Sequence, residues 1–488
     1  MIMARRCLFK SSRAVAAGLL LLLALTPALA ALPAPVLKEL RAAGIPPSSA
    51  SAIVHEIGAA GPKVSVAATR QVNPASLMKL VTTYAALELL GPAYRWKTEV
   101  YLDGKDVYLK GAGDPKLNYE SFWMLLRALR GRGLGHIEGN VVLDRTWLAP
   151  VPNGRIDDDA FRPYNVAPDA LLVNFKSVRF NFLPQLDRNA VRVYAEPALP
   201  GMRLLNELKV VERSCPEGRA FRELINAQFE SRPPRAAFTG VYPASCGERD
   251  LNVALHHPED YVAGMVRQLW SEMGGRWDGE VRNGVVPSTA RLFYVHESEA
   301  LSEIVRDVNK FSNNVMARQL YLTLGAEAAG APARPENAER AIREWLEAKK
   351  LRVPELVLEN GSGLSRAERI SASSLAAILQ AAWQSRVMPE FVASLPIAGS
   401  DGTMRRRMQD APGAGHAHIK TGLLSDVRGS AGYVLDRHAR RHVVVMIVND
   451  ARAPDAQQAL DALVSWTYEA RGRAPATARP RAASQRSP

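Results

Sequence analysis

The sequence predicts an α+β protein in which an antiparallel sheet flanked by helices is split by an inserted β-rich region. Helical patterns dominate both ends of the chain, whereas short strand-like runs separated by turns fill its middle. Near the carboxyl end, residues 429–435 and 442–448 have the pattern of a strand hairpin. A chain of 488 residues is too long for one ordinary core, and its length favours about three domains.

Residues 31–96 are predicted to begin the main domain. A long helix is expected near Asn73, which is a good N-cap, with Pro74 at the first helical position. Apolar residues three or four positions apart give that helix one buried face, and Gly91-Pro92 ends it. The other elements expected here are a helix at 35–43 and a hairpin of 51–57 with 63–66.

Residues 97–286 change to short β-like runs and turns, which indicates inserted material. Two subdomains are expected in this region, the inner one at about 176–236. The strand-like runs are 98–102, 107–109, 136–143 and 177–182.

The helical pattern then resumes, and residues 287–470 are predicted to complete the domain that 31–96 begin. A break between two helical stretches near Ser312 would let side chains turn inward. The helices expected here are 298–311, 315–324, 335–349, 373–383 and 454–468.

Residues 1–30 have the pattern of a secretory signal peptide. Basic residues precede an apolar run at 14–25, and Ala28-Leu29-Ala30 offers a cleavage site. The apolar run is much shorter than the roughly 20 residues that span a bilayer, which favours a cleaved signal over an anchor. The sequence therefore predicts a periplasmic, or otherwise extracytoplasmic, protein.

The charge distribution points away from nucleic acid. The formal charge is +13, of which the signal carries four cations, and residues 471–488 carry five arginines. That Ala/Pro/Ser-rich tail is predicted to be disordered, because it has no acid and little apolar content. A basic tail can contact anionic wall polymer or membrane, although a simply solvated end is the alternative.

Two cysteines remain once the signal is removed. In an oxidising compartment, Cys215 and Cys246 are expected to form a disulfide, with two free thiols as the alternative. No Cys/His spacing typical of a metal site occurs, so no metal is expected.

Three short motifs carry the candidate chemistry. The first opens a predicted helix, the second lies between two helical stretches, and the third lies on a strand-like stretch. They are Ser76-Leu77-Met78-Lys79, Ser312-Asn313-Asn314 and Lys420-Thr421-Gly422.

Ser76 and Lys79 share one face of a helix, so the lysine amine can reach the serine hydroxyl. A lysine base must be neutral, and lowering its pKa from about 10.4 to about 7 amounts to roughly 4.6 kcal/mol. Burial and a second cation, for which Lys420 is the candidate, can shift a lysine that far. Free amides near the helix start would stabilise an oxyanion, and those of Ser76 and Leu423 are the candidates. Taken alone, Ser-x-x-Lys also fits a surface serine and lysine on a packing helix.

Further segments extend a family resemblance beyond the motifs. Residues 73–80, 111–115 (Gly-Ala-Gly-Asp-Pro) and 361–366 (Gly-Ser-Gly-Leu-Ser-Arg) are similar to the class C low-molecular-mass penicillin-binding proteins. These penicillin-interacting serine peptidases are D-alanyl-D-alanine carboxypeptidases/endopeptidases. The resemblance implies a β-lactamase/transpeptidase-like catalytic domain split by β-rich domains, which suits the 236 positions between Ser76 and Ser312.

The resemblance also implies roles for the motif residues. Ser76 would attack the carbonyl carbon of a D-alanyl peptide bond, and Lys79 would take its proton. Ser312 would pass a proton to the leaving amine, and Asn314 would hold Lys79 and the amide of the acyl side chain. Water would then release the acyl group, and no cofactor is needed for such acyl transfer.

The third motif would bind the terminal carboxylate through Lys420 and Thr421. The usual pattern in the family is Lys-Thr-Gly-Thr, and here Leu423 follows Gly422. This departure removes one hydroxyl that could bind the carboxylate but keeps the backbone amide.

Diaminopimelate in a wall peptide carries an ammonium and a carboxylate, so its recognition should use an acid and an arginine. Arg366 resembles the family's carboxylate contact, and Asp144 is the candidate for the ammonium. For both residues the alternative is an exposed loop charge.

The motifs and the resemblance together predict a periplasmic serine DD-peptidase that hydrolyses D-alanyl-D-alanine termini and D-alanyl-diaminopimelate crosslinks of peptidoglycan. It would act through an acyl-enzyme on Ser76 and be acylated by β-lactam antibiotics. Two alternatives remain open. A serine β-lactamase would turn the drug over rapidly, and a non-catalytic wall-binding protein with a vestigial site would not need Ser76.

Overall fold

The computed structural model describes residues 31–151, 159 and 161–470. The predicted signal peptide at 1–30 and the predicted basic tail at 471–488 lie outside the described residues. Within the described part, no helix is long and apolar enough to cross a membrane.

The described residues begin with a short helix, followed by two strands of a five-stranded sheet and by the turn and helix that carry Ser76 and Lys79. A 3-10 turn at Ala75–Met78 contains the serine, and the α-helix proper starts only at Lys79. The α-helix therefore starts later than Pro74, where it was expected to start. The first motif has its serine on the 3-10 turn and its lysine at the start of the α-helix. The elements are α1 Ala34–Ala42, β1 Ala50–Glu56, β2 Val64–Val66, β3 Gln71–Val72 and α2 Lys79–Leu89.

The first half of the insertion forms a mixed sheet with one long helix. Its elements are β4 Lys97–Asp103, β5 Asp106–Lys110, α3 Tyr119–Gly131, β6 His136–Ile137 and β7 Val141–Asp144. The inner part follows, with β8 Val178–Gln185, β9 Ala190–Glu196, β10 Arg203–Asn206, β11 Lys209–Val211, α4 Gly218–Leu224, β12 Ala227–Ser231, β13 Pro234–Phe238, β14 Val241–Pro243 and β15 Arg249–Val253. The insertion ends with α5 Pro258–Glu272, β16 Arg276–Trp277, β17 Val281–Asn283 and β18 Arg291–Glu297.

Strand pairing sets the limits of the insertion more widely than expected. Its five-stranded sheet has the order β17-β7-β5-β4-β18, so β18 returns beyond residue 286 to pair with β4. The inner unit likewise extends past residue 236, because β15 pairs with β8. Both predicted boundaries are corrected for the same reason: the last strand of each unit comes back to its first.

The insertion also contains more helix than the expected β-rich region. Helices α3 and α5 contribute to its core, where Leu125 and Leu269 are buried with the aromatic residues of β8 and β13. Cys215 and Cys246, the pair expected to be bridged, are joined by a disulfide within this unit.

The rest of the chain completes the main domain. Its elements are α6 Leu301–Lys310, α7 Asn314–Ala329, α8 Pro335–Ala348, β19 Ile370–Ser371, α9 Ala372–Trp383, α10 Met388–Ala393, β20 Ala417–Leu424, β21 Val427–Leu435, β22 Arg441–Asn449 and α11 Gln457–Glu469. The predicted hairpin is β21 and β22, and the predicted helices are present with ends shifted by a few residues.

The main sheet is antiparallel, with the order β2-β1-β22-β21-β20. Strand β22 is buried on both faces: Val444 and Met446 pack toward α1 and α11, whereas Val443 and Val445 pack toward α2, α6 and α9. The chain thus forms a sheet between two helical layers. Strand β20 lies at the edge of this sheet. One side of its backbone is therefore available to a ligand where the strand passes the start of α2.

Candidate active site

Ser76 lies on the 3-10 turn where α2 meets β20. Its predecessor Ala75 has a φ of +48°, a left-handed conformation that costs free energy for a residue with a side chain. The side chain of Asn73 holds this backbone by accepting from the amide of Ala75 at 2.8 Å and donating to the carbonyl of Ser365 at 2.9 Å. The strained turn leaves Ser76 partly exposed while its neighbours are buried.

Glycines allow the turn to lie directly against its surroundings. A Cβ at Gly363 would stand 1.9 Å from the carbonyl oxygen of Ala75 and 2.7 Å from the amide nitrogen of Ser76. A Cβ at Gly422 would stand 2.8 Å from the carbonyl oxygen of Pro74. These positions need glycine because a side chain would push the nucleophile away from the sheet and the loop.

Lys79 is fully buried beneath Ser76. Its Nζ lies 3.0 Å from the Ser76 Oγ and 2.5 Å from the Asn314 Oδ1, and it contacts the carbonyl oxygen of Ser362. Burial, together with the nearby Lys420 cation, holds the pKa of Lys79 well below its usual range, while Glu368 acts in the opposite direction. The site therefore favours the neutral amine.

The contacts of a neutral Lys79 amine have a defined direction. Such an amine has two N–H bonds and one lone pair. It can donate to the Asn314 Oδ1 and to the Ser362 carbonyl oxygen, neither of which has a proton to give. The lone pair is then left for the hydroxyl proton of Ser76, which is the arrangement that a serine nucleophile needs from its base.

The second motif reaches the site through a break between α6 and α7. Ser312 has a φ of +56°, so the chain turns sharply there. Asn313 caps α7 by accepting from the amide of Met316 at 3.0 Å, and Asn314 is the first residue of that helix. This turn brings the side chain of Asn314 to Lys79 and that of Ser312 to Lys420.

Lys420 connects the third motif to the second. It is fully buried. Its Nζ donates to the Ser312 Oγ at 2.8 Å and to the carbonyl oxygen of Thr421 at 2.7 Å. Burial lowers the pKa of Lys420 to about 7. The Thr421 hydroxyl lies beside Lys420 and donates to the hydroxyl of Thr403 at 2.8 Å.

The backbone of β20 turns the Leu423 amide toward the open edge of the sheet. Ile419 donates its amide to Pro396, on the side away from β21, which fixes the alternation along the strand. Thr421 and Leu423 lie two and four residues further, so their amides point the same way. The side chain of Leu423 is 54% exposed and leaves that edge open.

Asp144 is not available to a ligand, which corrects its assignment as the ammonium contact. Its side chain is buried at the end of β7 in the insertion. The carboxylate accepts from the amide and hydroxyl of Thr146 at 3.0 and 2.6 Å and from the amide of Val286 at 2.9 Å. These bonds hold the turn after β7 and occupy both of its oxygens.

Arg366 lies at the opposite end of the 361–366 loop from the Lys79 contact. Its exposed guanidinium pairs with Asp426 and donates to the Ser425 Oγ at 2.9 Å, just beyond the end of β20. The sequence interpretation did not include Asp426. Nothing in its spacing sets it apart, because its position beside Arg366 depends on the turn between β20 and β21.

Glu368 is a second residue that the sequence interpretation did not include. It is fully buried behind the loop that contacts Lys79. A single acid after the Gly-Ser-Gly-Leu-Ser-Arg segment has no distinctive pattern, and its burial could be found only from the fold. Across residues 31–151, 159 and 161–470, no group of three or more His, Cys, Asp or Glu side chains could hold a metal ion.

A serine in contact with a buried lysine, with a second buried lysine on an edge strand, is the arrangement typical of serine acyl-transfer enzymes. The chain belongs to the D-Ala-D-Ala carboxypeptidase 3 (S13) family, whose model matches residues 37–470. It is thus a serine-type D-Ala-D-Ala carboxypeptidase, and the resemblance drawn from its motifs is confirmed.

Individual relatives agree with the family match. The D-alanyl-D-alanine carboxypeptidase of Actinomadura sp. (strain R39) is 29% identical over 394 residues, which are 75% of this chain and 71% of the relative. The carboxypeptidase DacB of Haemophilus influenzae is 22% identical over 400 residues, covering 78% and 81%. The crystal structure of penicillin-binding protein 4 from H. influenzae has a TM-score of 0.72 at 20% identity, covering 89% of this chain and 99% of that one. The predicted transpeptidase-like fold is therefore confirmed.

The two buried lysines predict a bell-shaped pH dependence of kcat/KM for a D-Ala-D-Ala peptide. Activity should rise as pH passes the lowered pKa of Lys79, because the base is active when neutral. It should fall above a pH of about 7, because Lys420, the residue expected to bind the terminal carboxylate, loses its positive charge there. Steady-state kinetics from pH 5 to pH 10 on the free peptide and on its terminal amide would check this. An equally steep fall for the amide would contradict the role of Lys420.

Proposed function

We propose that this carboxypeptidase uses Ser76 as its nucleophile and Lys79 as its base, and that it also opens D-alanyl-diaminopimelate crosslinks in peptidoglycan. The observation that carries the proposal is that the Lys79 amine has two oxygen acceptors for its N–H bonds, those of Asn314 and Ser362. Its lone pair is therefore left for the hydroxyl of Ser76.

In the first step, the Ser76 Oγ attacks the carbonyl carbon of the penultimate D-alanine while Lys79 takes the hydroxyl proton. The amides of Ser76 and Leu423 stabilise the oxyanion, an interaction worth roughly a hundredfold to a thousandfold in rate for each donor. The C–N bond then breaks, and an ester on Ser76 and a free amine result. Water hydrolyses the ester and restores Ser76.

The leaving amine must gain a proton, and Ser312 would supply it. Its hydroxyl contacts the Lys420 Nζ at 2.8 Å, so a proton given to the amine can be replaced from the lysines of the site. Asn314, already bonded to Lys79, would hold the amide of the acyl side chain. Lys420 and Thr421 would bind the terminal carboxylate, with Gly422 keeping the strand close to the nucleophile.

A groove beside Ser312 supports the crosslink activity. It has a volume of about 1140 Å³, larger than most small-ligand sites. Phe311 and Ser312 line it from the catalytic domain, and Tyr119, Tyr194 and Gln268 line it from the insertion. A leaving group larger than one D-alanine would have space there, beside the residue proposed to protonate it.

The side chain of diaminopimelate would be recognised at the Arg366–Asp426 pair. Its carboxylate would replace Asp426 on the guanidinium, and its ammonium would pair with the released Asp426. Because both side chains are more than half exposed, their present ion pair is worth little and is readily exchanged. Asp426 thus takes the role that the sequence interpretation gave to Asp144.

The site of action would be the periplasm, reached through the signal peptide at 1–30. Its substrate lies outside the cytoplasm, and a penicillin-binding protein of this fold is known from H. influenzae. The basic residues at 471–488 would add a peripheral contact with anionic wall polymer or membrane.

Labelled penicillin should acylate the folded protein at Ser76, since the drug presents a carbonyl and a carboxylate to the same groups. The H. influenzae relative has been solved in complex with a β-lactam. Peptide mapping of the adduct would locate the label. Ser76→Ala should remove it, and Ser271→Ala, on the exposed face of α5, should keep it. Label elsewhere would reject the proposed nucleophile, and release within seconds would favour a β-lactamase.

Tyr194→Ala should lower cleavage of a crosslinked muropeptide about fivefold relative to an uncrosslinked pentapeptide. The expected change corresponds to roughly 1 kcal/mol for one aromatic contact. Digestion of both substrates, with products separated by mass, would give the ratio. Leu186→Ala is the control, because Leu186 is 67% exposed at the turn after β8 and is not among the groove residues. An unchanged ratio in Tyr194→Ala would argue against the groove.

Arg366→Ala should reduce kcat/KM about tenfold for a diaminopimelate peptide and much less for a simple D-Ala-D-Ala ester. The estimate follows from the loss of one charge-assisted hydrogen bond. Asp426→Asn should have the same selective effect through the ammonium, whereas Arg352→Ala, at an exposed position of a neighbouring loop, should have none. Equal losses on both substrates would remove the recognition role.

A further inference from the structure

Glu368 is a fully buried carboxylate that belongs to none of the three motifs. Its Oε1 accepts from the amides of Glu359, Asn360 and Gly361 at 3.2, 3.0 and 2.9 Å, and its Oε2 accepts from the amide of Gly363 at 2.8 Å. One side chain therefore gathers four amides of a single loop, residues 359–364. We name this segment the base loop.

The base loop contacts α2 at two positions, Lys79 and Thr82. The carbonyl of Ser362 takes a hydrogen bond from Lys79, and the carbonyl of Gly361 takes one from the Thr82 Oγ1 at 2.6 Å. Gly363 lies directly against the backbone of Ala75 and Ser76. Any displacement of this loop would therefore move an acceptor of the base and a wall of the nucleophile together.

The position of the Ser362 carbonyl decides where the lone pair of Lys79 points. Two acceptors orient the neutral amine, and Asn314 supplies only one of them. If the Ser362 carbonyl moved away, Lys79 could rotate and donate toward Ser76 instead of accepting from it. Misplacements of this size cost on the order of a hundredfold in rate.

The charge of Glu368 acts on the same lysine. Lys420 faces Lys79 from β20 and lowers its pKa, whereas Glu368 faces it from behind the base loop and raises it. Arg318 and the Tyr321 hydroxyl, both on α7, also lie in the field of Glu368, and Glu359 on the loop acts on Arg318 as well. Burial raises the pKa of Glu368 above its usual value, and the four amide donors oppose this shift because they stabilise the carboxylate.

We propose that Glu368 is a positioning residue for the base, because it holds the base loop so that Lys79 presents its lone pair to Ser76. The negative charge of Glu368 also acts on Lys79 in the direction opposite to the positive charge of Lys420. This rests on the proposed role of Lys79. It predicts more than a structural role would, because it links the residue to the protonation of Lys79 as well as to the shape of the site.

Glu368→Gln separates these effects while changing the shape little. In the variant, an NH₂ group replaces one carboxylate oxygen and cannot accept from the backbone amides of the base loop. The negative charge is also lost. Acylation by labelled penicillin at pH 7 should slow about tenfold to a hundredfold. The acidic limb of the pH profile should also move to lower pH, since Lys79 loses the charge that favours its protonated form.

Glu355→Gln is the matched control, because Glu355 is a partly buried carboxylate of the same domain that bonds Ser371 and Ser374 rather than the base loop. It should leave both the rate and the pH profile unchanged. Loss of rate in Glu368→Gln with an unmoved acidic limb would reduce Glu368 to a structural role, and an unchanged rate would overturn the proposal.

If Glu368→Gln does not fold, Thr82→Val provides the test, since it removes only the hydrogen bond to the Gly361 carbonyl. Acylation should slow severalfold, and normal acylation would overturn the proposal. If wild-type protein is labelled at Ser76 and these variants behave normally, only this inference is refuted. Wild-type protein that is never labelled at Ser76 would instead refute the proposed function.

Discussion

The arrangement of this site depends on the burial of one lysine. Lys79 has no exposed surface, and an isolated ammonium ion is costly to bury, so the protein lowers its pKa rather than pairing it with an adjacent acid. Its three contacts are all to uncharged oxygens: a hydroxyl, an amide and a backbone carbonyl. A neutral amine is what such surroundings can hold, and a neutral amine is what a serine nucleophile requires.

The same constraint accounts for features that would otherwise look unfavourable. Both serines of the site adjoin or occupy left-handed backbone, at Ala75 and at Ser312. Residues with side chains adopt that conformation only where their surroundings impose it. Here the glycines at 363 and 422 let loop and sheet close on the turn that carries Ser76, and the resulting contacts hold the strain. The long insertion leaves this packing intact, because it departs after α2 and returns before α6.

Much of the fold followed from local patterns, and the failures have physical causes. The hairpin of β21 and β22 was predictable from two apolar strand-like runs and the polar turn between them. The boundaries of the insertion were not, since β15 and β18 pair with strands far earlier in the chain. Asp144 was a candidate because the sequence does not show whether an acid in the inserted region is exposed or buried. Only the fold shows that its oxygens bind the turn after β7.

The sequence by itself determined the chemical groups of the site and their order along the chain, because Ser76 and Lys79 are within one helical turn of each other and the other two motifs are short and local. It also determined the family, through segments that match over most of the chain. The tertiary structure decided which distant groups meet: the Ser362 carbonyl on Lys79, Lys420 on Ser312, Asp426 beside Arg366 and Glu368 behind the base loop. Local patterns report contacts a few residues apart, whereas these contacts join separate elements and exist only once the sheet, helices and loop have packed.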